Sequence, residues 1–256
     1  MRYKENEIKK GIKLHEIQTD KFKTNLIAVF LTMPISRENV TKNSLISAVL
    51  RRGSKNMPTQ AQISKEMEEM YGASFDCGLD KTGDNHILKF YIEAINDKFL
   101  PQPDENMLKT SIEKVLEIVF NPLVENGEFK KEYVQQEKEN VKRIIQGKTD
   151  NKARYAFDRC IEEMYKDEPY GLYKYGYIED LENITPENLY EYYKKMISEC
   201  KIDIFVSGNI EEVKDIVEEN ENIQKLQERE ANYKINKIEK KEIVQEKEIK
   251  EEMDVT

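Results

Sequence analysis

Histidine is scarce in this chain: His15 and His86 are the only two among 256 residues. Tryptophan is absent, and there are three cysteines, ten glycines and seven prolines. Each scarcity excludes something. Zinc sites gather two or more His or Cys ligands at short spacing, whereas His15 and His86 stand 71 positions apart on separate predicted strands. The cysteines Cys77, Cys160 and Cys200 form no knuckle. Odd in number and widely spaced, they suit a reducing cytoplasm and read as buried, unreactive thiols. The longest apolar run, Leu26 to Leu31, has six residues against the roughly 20 that span a bilayer. Met1 to Glu7 holds no apolar stretch that could serve as a signal peptide. No Gly-rich phosphate loop and no Gly-x-Ser-x-Gly elbow is present, and nothing pairs a cysteine nucleophile with a histidine base. A formal charge of −9 disfavours nucleic-acid backbones.

What remains is a globular pattern. Aromatic residues make up 9% of the chain, against a charged fraction of 36%, which argues for a folded core. Strands are expected at Ile12 to Ile17 and Asn25 to Met33. A helix follows from Val40 to Arg52, with Leu45, Ile46, Val49 and Leu50 at helical spacing. Thr59 and Gln62 form a capping box for a second helix that ends near Tyr71-Gly72. Lys81-Thr82-Gly83-Asp84 reads as a hairpin turn between strands Ser74 to Asp80 and His86 to Glu93. Helices are expected over Asp104 to Phe120, Phe129 to Gln146 and Lys152 to Tyr165. Thr185-Pro186 opens another to Ile197, and Ile202 to Val206 is a last strand closed by Gly208-Asn209. The predicted class is α+β, a mixed or antiparallel sheet packed against helices.

Charge concentrates at the end. Glu211 to Thr256 carries 15 acidic and 9 basic residues. Asn220 to Lys241 reads as a solvated linker, and Ile243 to Ile249 as a strand. The expected organisation is one domain over 1–219. Residues 220–256 then form either a charged extension or the start of a second domain that the chain does not contain.

Between Thr41 and Gly78 the order of residues carries a resemblance. Ser44-Leu45-Ile46-Ser47-Ala48 leads through Arg51-Arg52-Gly53-Ser54 into Gln62 to Glu68, and then into Tyr71-Gly72-Ala73-Ser74-Phe75. Glu137-Lys138, the loop Glu168-Pro169-Tyr170-Gly171, and Cys200 to Asn209 follow in matching order. Over residues 10–215 this resembles the first half of the inverzincin peptidases, the family of pitrilysin, insulinase and the mitochondrial processing peptidase. The closest likeness is to catalytically degenerate bacterial paralogues connected with elongation factor P modification.

The resemblance implies two similar halves closing around a peptide. Zinc would be held by the two histidines of His-x-x-Glu-His and by a glutamate on a later helix, with the first Glu as base. Aligning Gly53-Ser54 with the family's Gly-Thr puts His, Glu and His at Ser44, Ser47 and Ala48. Counting seven on from Glu137 puts the third ligand at Ile144. None of these four is a ligand or a base, although ordinary helix packing also accounts for each of them. Glu137 either orients its neighbours or is a solvated helix carboxylate. The resemblance therefore implies no catalysis, no cofactor, and a heterodimer in the cytoplasm with an active zinc-peptidase paralogue that handles peptide or unfolded protein. The alternatives are a metallopeptidase using zinc on unrecognised ligands such as His15 or His86, and a scaffold or peptide-binding protein without catalysis.

Overall fold

In the computed structural model, residues 1–100, 106–210 and 212–234 are described. The chain opens with strands β1 (Arg2–Lys9) and β2 (Ile12–Gln18), then β3 (Thr24–Pro34), which contains the long apolar run. Helices α1 (Val40–Leu50) and α2 (Gln60–Glu69) precede the hairpin of β4 (Ser74–Thr82) and β5 (Asn85–Ile95). Next come α3 (Met107–Phe120), a small hairpin of β6 (Val124–Glu125) and β7 (Glu128–Phe129), and the helices α4 (Lys131–Gln146) and α5 (Lys152–Met164). Short α6 (Ile178–Asn183) leads to α7 (Pro186–Glu199), the strand β8 (Lys201–Gly208), and the helices α8 (Val213–Glu219) and α9 (Glu221–Lys225).

Six strands form one mixed sheet in the order β1-β2-β8-β3-β5-β4. β2 and β8 run parallel and every other neighbouring pair is antiparallel. The pleat sends alternate side chains to opposite faces. Ile12, Leu14, Ile27, Val29, Leu31, Leu88, Phe90, Ile202 and Ile204 are buried on one face, together with Leu45, Ile46 and Leu50 of α1 and Ile112, Val115 and Leu116 of α3. Burying each such side chain contributes roughly 1.5–3 kcal/mol, so this layer carries most of the stability. His15, Phe205 and Phe30 lie on the opposite face and form a row of rings, with centroids 4.2 Å apart for His15–Phe205 and 5.1 Å for Phe205–Phe30.

Local signals account for several elements. Thr59 accepts from the Gln62 backbone N–H while the Gln62 side chain accepts from the Thr59 N–H, which completes the expected capping box. Thr185 and Asn188 make a second box at α7, with Pro186 in the first turn. α3 begins at Met107, capped by the Asn106 side chain; its expected start at Asp104 lies outside the described residues. α4 begins two residues later than expected because Phe129 pairs with Val124 across β6 and β7.

Two expectations change. The first strand, β1, carries five exposed residues out of eight and has no apolar alternation to announce it. Residues 220–234, read as solvated linker, pack on the domain instead. Ile223 is fully buried, and Lys9 Nζ donates to the carbonyls of Ile223, Gln224 and Leu226, closing the end of α9 with a cation. Arg229 is buried and donates to the carbonyls of Ile197 and Gln227, while its own N–H bonds the Lys10 carbonyl. Gly11, at φ +81°, makes room for this strap: a Cβ there would lie 2.5 Å from Arg229 Cγ. At Lys234 the strap is held by a two-point clamp, with Asn85 Nδ2 donating to the Lys234 carbonyl at 2.6 Å and Lys234 N–H donating to Asn85 Oδ1 at 2.8 Å. The strand expected at Ile243 to Ile249 lies outside the described residues.

Candidate functional site

α1 and α4 pack against each other, and the four aligned positions lie along these two helices. Ser44 and Ser47 are buried and Ala48 is half-buried on α1. On α4, Glu137 and Val141 turn inward at i and i+4, whereas Ile144 at i+7 emerges with 45% of its surface exposed.

The charge at the seam is closed on itself. Arg52, just past α1, pairs through Nε with Glu137 Oε1, and Asn140 Nδ2 donates to both Glu137 oxygens at 3.0 Å. Asn140 Oδ1 in turn accepts from Arg143. Glu137 is therefore a buried, fully partnered carboxylate, and the solvated reading of it is corrected. Sequence reasoning missed Arg52 and Asn140. The usable signal was a carboxylate on the same helix face as Val141, which needs a counter-charge once that face is buried.

The turn beside α1 is equally constrained. A Cβ on Gly53 would stand 2.6 Å from the Pro58 carbonyl, so the chain passes too closely there for a side chain. Ser54 exchanges hydrogen bonds with Met57, its N–H to the Met57 carbonyl at 2.9 Å and its Oγ accepting the Met57 N–H at 3.2 Å. Below the helix, Cys77 Sγ on β4 lies 3.7 Å from the Ser47 carbonyl. Burial pushes that thiol up to about 11 and the Cys200 thiol up to about 12, so neither is a thiolate at neutral pH. Cys160 is exposed on α5, contrary to the expectation of three buried thiols.

These residues do not fit a zinc ion. Two hydroxyls, a methyl and an aliphatic chain occupy the aligned positions, and the one carboxylate beside them, Glu137, is taken up by Arg52 and Asn140. Among the described residues no group of three or more His, Cys, Asp and Glu is placed to hold a metal ion.

The histidines cannot rebuild the site together, because they lie on opposite faces of the sheet. His15 Nδ1 meets the Tyr3 hydroxyl at 2.7 Å and its Nε2 meets Asp203 Oδ1 at 2.8 Å, so both ring nitrogens are engaged. His86 is buried against α1, where Asn43 Nδ2 donates to its Nδ1 at 3.1 Å and Tyr192 donates to Asn43 Oδ1 at 2.7 Å. Burial holds His86 down at about 4, against 6.5 for an ordinary histidine. The unfolded chain then takes up this proton first as pH falls, so stability is lost between about pH 6.5 and 4 and levels off below. Urea unfolding at pH 7, 5.5 and 4 is expected to show wild type losing about 2 kcal/mol more across that window than His86→Gln.

No helix among the described residues is long and apolar enough to cross a membrane. No family model matches the chain. It is 34% identical over 256 residues to the "Probable inactive metalloprotease YmfF" of Bacillus subtilis (strain 168), covering 96% of this chain and 59% of that protein. A conserved protein from Enterococcus faecalis V583 superposes with a TM-score of 0.83 at 30% identity, over 91% of this chain and 54% of the other. The peptidase M16 inactive domain from Pseudomonas fluorescens matches in fold, at a TM-score of 0.68 and 14% identity, over 93% of this chain and 53% of the other. The chain thus spans little more than half the length of these proteins. In sequence it is similar to a protein described as a probable inactive metalloprotease, and its fold is the one seen in the peptidase M16 inactive domain.

Proposed function

We propose that the chain is a non-catalytic peptidase-like subunit, soluble in the cytoplasm, that pairs with an active zinc-bearing sister and helps to enclose a peptide or unfolded protein. One observation carries this reading. The two helices that the resemblance aligns with a zinc site pack against each other, the aligned positions hold Ser44, Ser47, Ala48 and Ile144, and Glu137 is paired with Arg52. A helix seam that keeps its packing and loses every ligand supports a role in shape and binding. Catalysis would then fall to a partner with an intact His-x-x-Glu-His. Affinity purification of the tagged chain from its producing cells is expected to bring down such a protein in near-equal amount. Recovery of the chain alone, under conditions that preserve other complexes, would rule the pairing out.

A further inference from the structure

β4 is an outer strand of the sheet, and an outer edge is where a sheet accepts another strand. Two of its backbone groups are already held by side chains. The Cys77 N–H donates to Asp76 Oδ1 at 2.8 Å, and the Leu79 carbonyl accepts from Lys174 Nζ at 3.1 Å. The attachment is reciprocal. Lys81 Nζ, from β4 itself, donates to the carbonyls of Tyr170 at 2.6 Å and Leu172 at 2.7 Å, and stands 4.8 Å over the Tyr170 ring. The strand's lysine thus grips the loop while the loop's lysine grips the strand. The far end of the loop is fixed on α1. A Cβ on Gly176, at φ +82°, would lie 2.1 Å from Thr41 Oγ1, and Thr41 Oγ1 accepts the Tyr177 N–H at 3.0 Å.

An antiparallel partner exchanges N–H and C=O bonds with the same residue. At Cys77 the N–H is taken and at Leu79 the C=O is taken, so each position offers half of a pair. Lysine on an edge strand is also a common guard against unwanted strand pairing. We propose that Lys174 and Asp76, with the loop secured by Lys81, shut the outer edge of β4 against strand addition. An extended peptide is then kept off this edge while the clasp is closed, and whatever the chain encloses is held by side-chain contacts elsewhere. This does not depend on the existence of a sister peptidase.

The test uses the whole 256-residue chain and a fluorescent probe peptide of eight alternating Thr and Val residues with two terminal lysines. Binding is read by anisotropy, and hydrogen exchange over residues 74–82 locates it. The Lys174→Met/Asp76→Ala variant frees two backbone groups and is expected to bind the probe at least about tenfold more tightly than wild type, with exchange slowed over 74–82. Lys81→Met, which releases the loop from the other side, is expected to act in the same direction and serves if the first variant does not fold. Wild type binding the probe with slowed exchange at 74–82 overturns the proposal. So does a folded variant that gains nothing.

Discussion

The chain carrying Ser44→His, Ser47→Glu, Ala48→His and Ile144→Glu is expected to hold close to one zinc ion per molecule. Positions 44 and 48 share one face of α1, one turn apart, and α4 packs alongside with position 144 emerging from the seam. Two imidazoles on a helix face and a carboxylate from a neighbouring helix are the three protein ligands of an open zinc site. Zinc affinity at least about a thousandfold above that of the parent is the expected gain, because metal binding to a preformed three-ligand site is worth many kcal/mol. Two features oppose it. Ser44 and Ser47 are buried, so larger side chains must push the seam apart, at a cost of about 1–3 kcal/mol each. Arg52 also places a cation beside the seam. The Ser44→His/Ala48→His pair alone is therefore expected to bind far more weakly than the full set. Isothermal titration with zinc reads both. A fully folded quadruple variant without measurable zinc affinity means that α1 and α4 are not the helices of a former metal site.

Arg52→Met is expected to destabilise the chain by about 3–4 kcal/mol, the range for removing one partner of a buried ion pair. Glu137 keeps 8% of its side chain exposed and would be left with the neutral Asn140 amide, too little for a desolvated carboxylate. Arg52 is 25% exposed, which holds the effect below the top of that range. Arg52→Met/Glu137→Leu is expected to regain most of the loss, since an apolar pair of similar volume fits the same seam beside Val141. Urea unfolding of the four proteins closes a double-mutant cycle. A loss under about 1 kcal/mol for Arg52→Met would mean that the pair is a surface contact and that the seam is held by packing alone.

How legible these features are in sequence depends on range. β3, the hairpin of β4 and β5, and the helices α1, α2 and α7 announce themselves through apolar spacing, Gly83 and the Thr59 and Thr185 caps, all within a few residues. The Asn126-Gly127 turn between β6 and β7 is a miss: both residues take positive φ, 53° and 85°, as a tight hairpin turn requires, and the short strands around it are too brief to show apolar alternation. β1 is a second miss, because an edge strand that shows mostly charge to water has little apolar alternation. Arg229 and Lys9 reverse the solvated reading of residues 220–234 through contacts made more than two hundred positions away in sequence. At the seam, the reading of Ser44, Ser47, Ala48 and Ile144 as former ligand positions is what the family resemblance implies. The ion pair beside them is not legible in sequence, since Arg52 meets Glu137 only when α1 and α4 are packed.

The most direct measurement is the metal content and peptidase activity of the wild-type chain, purified without chelators and dialysed against zinc. Well under one tenth of a zinc ion per chain, with no chelator-sensitive hydrolysis of unfolded protein, is the expected result for a site without ligands. One zinc per chain, removed by chelator together with peptide hydrolysis, would contradict it.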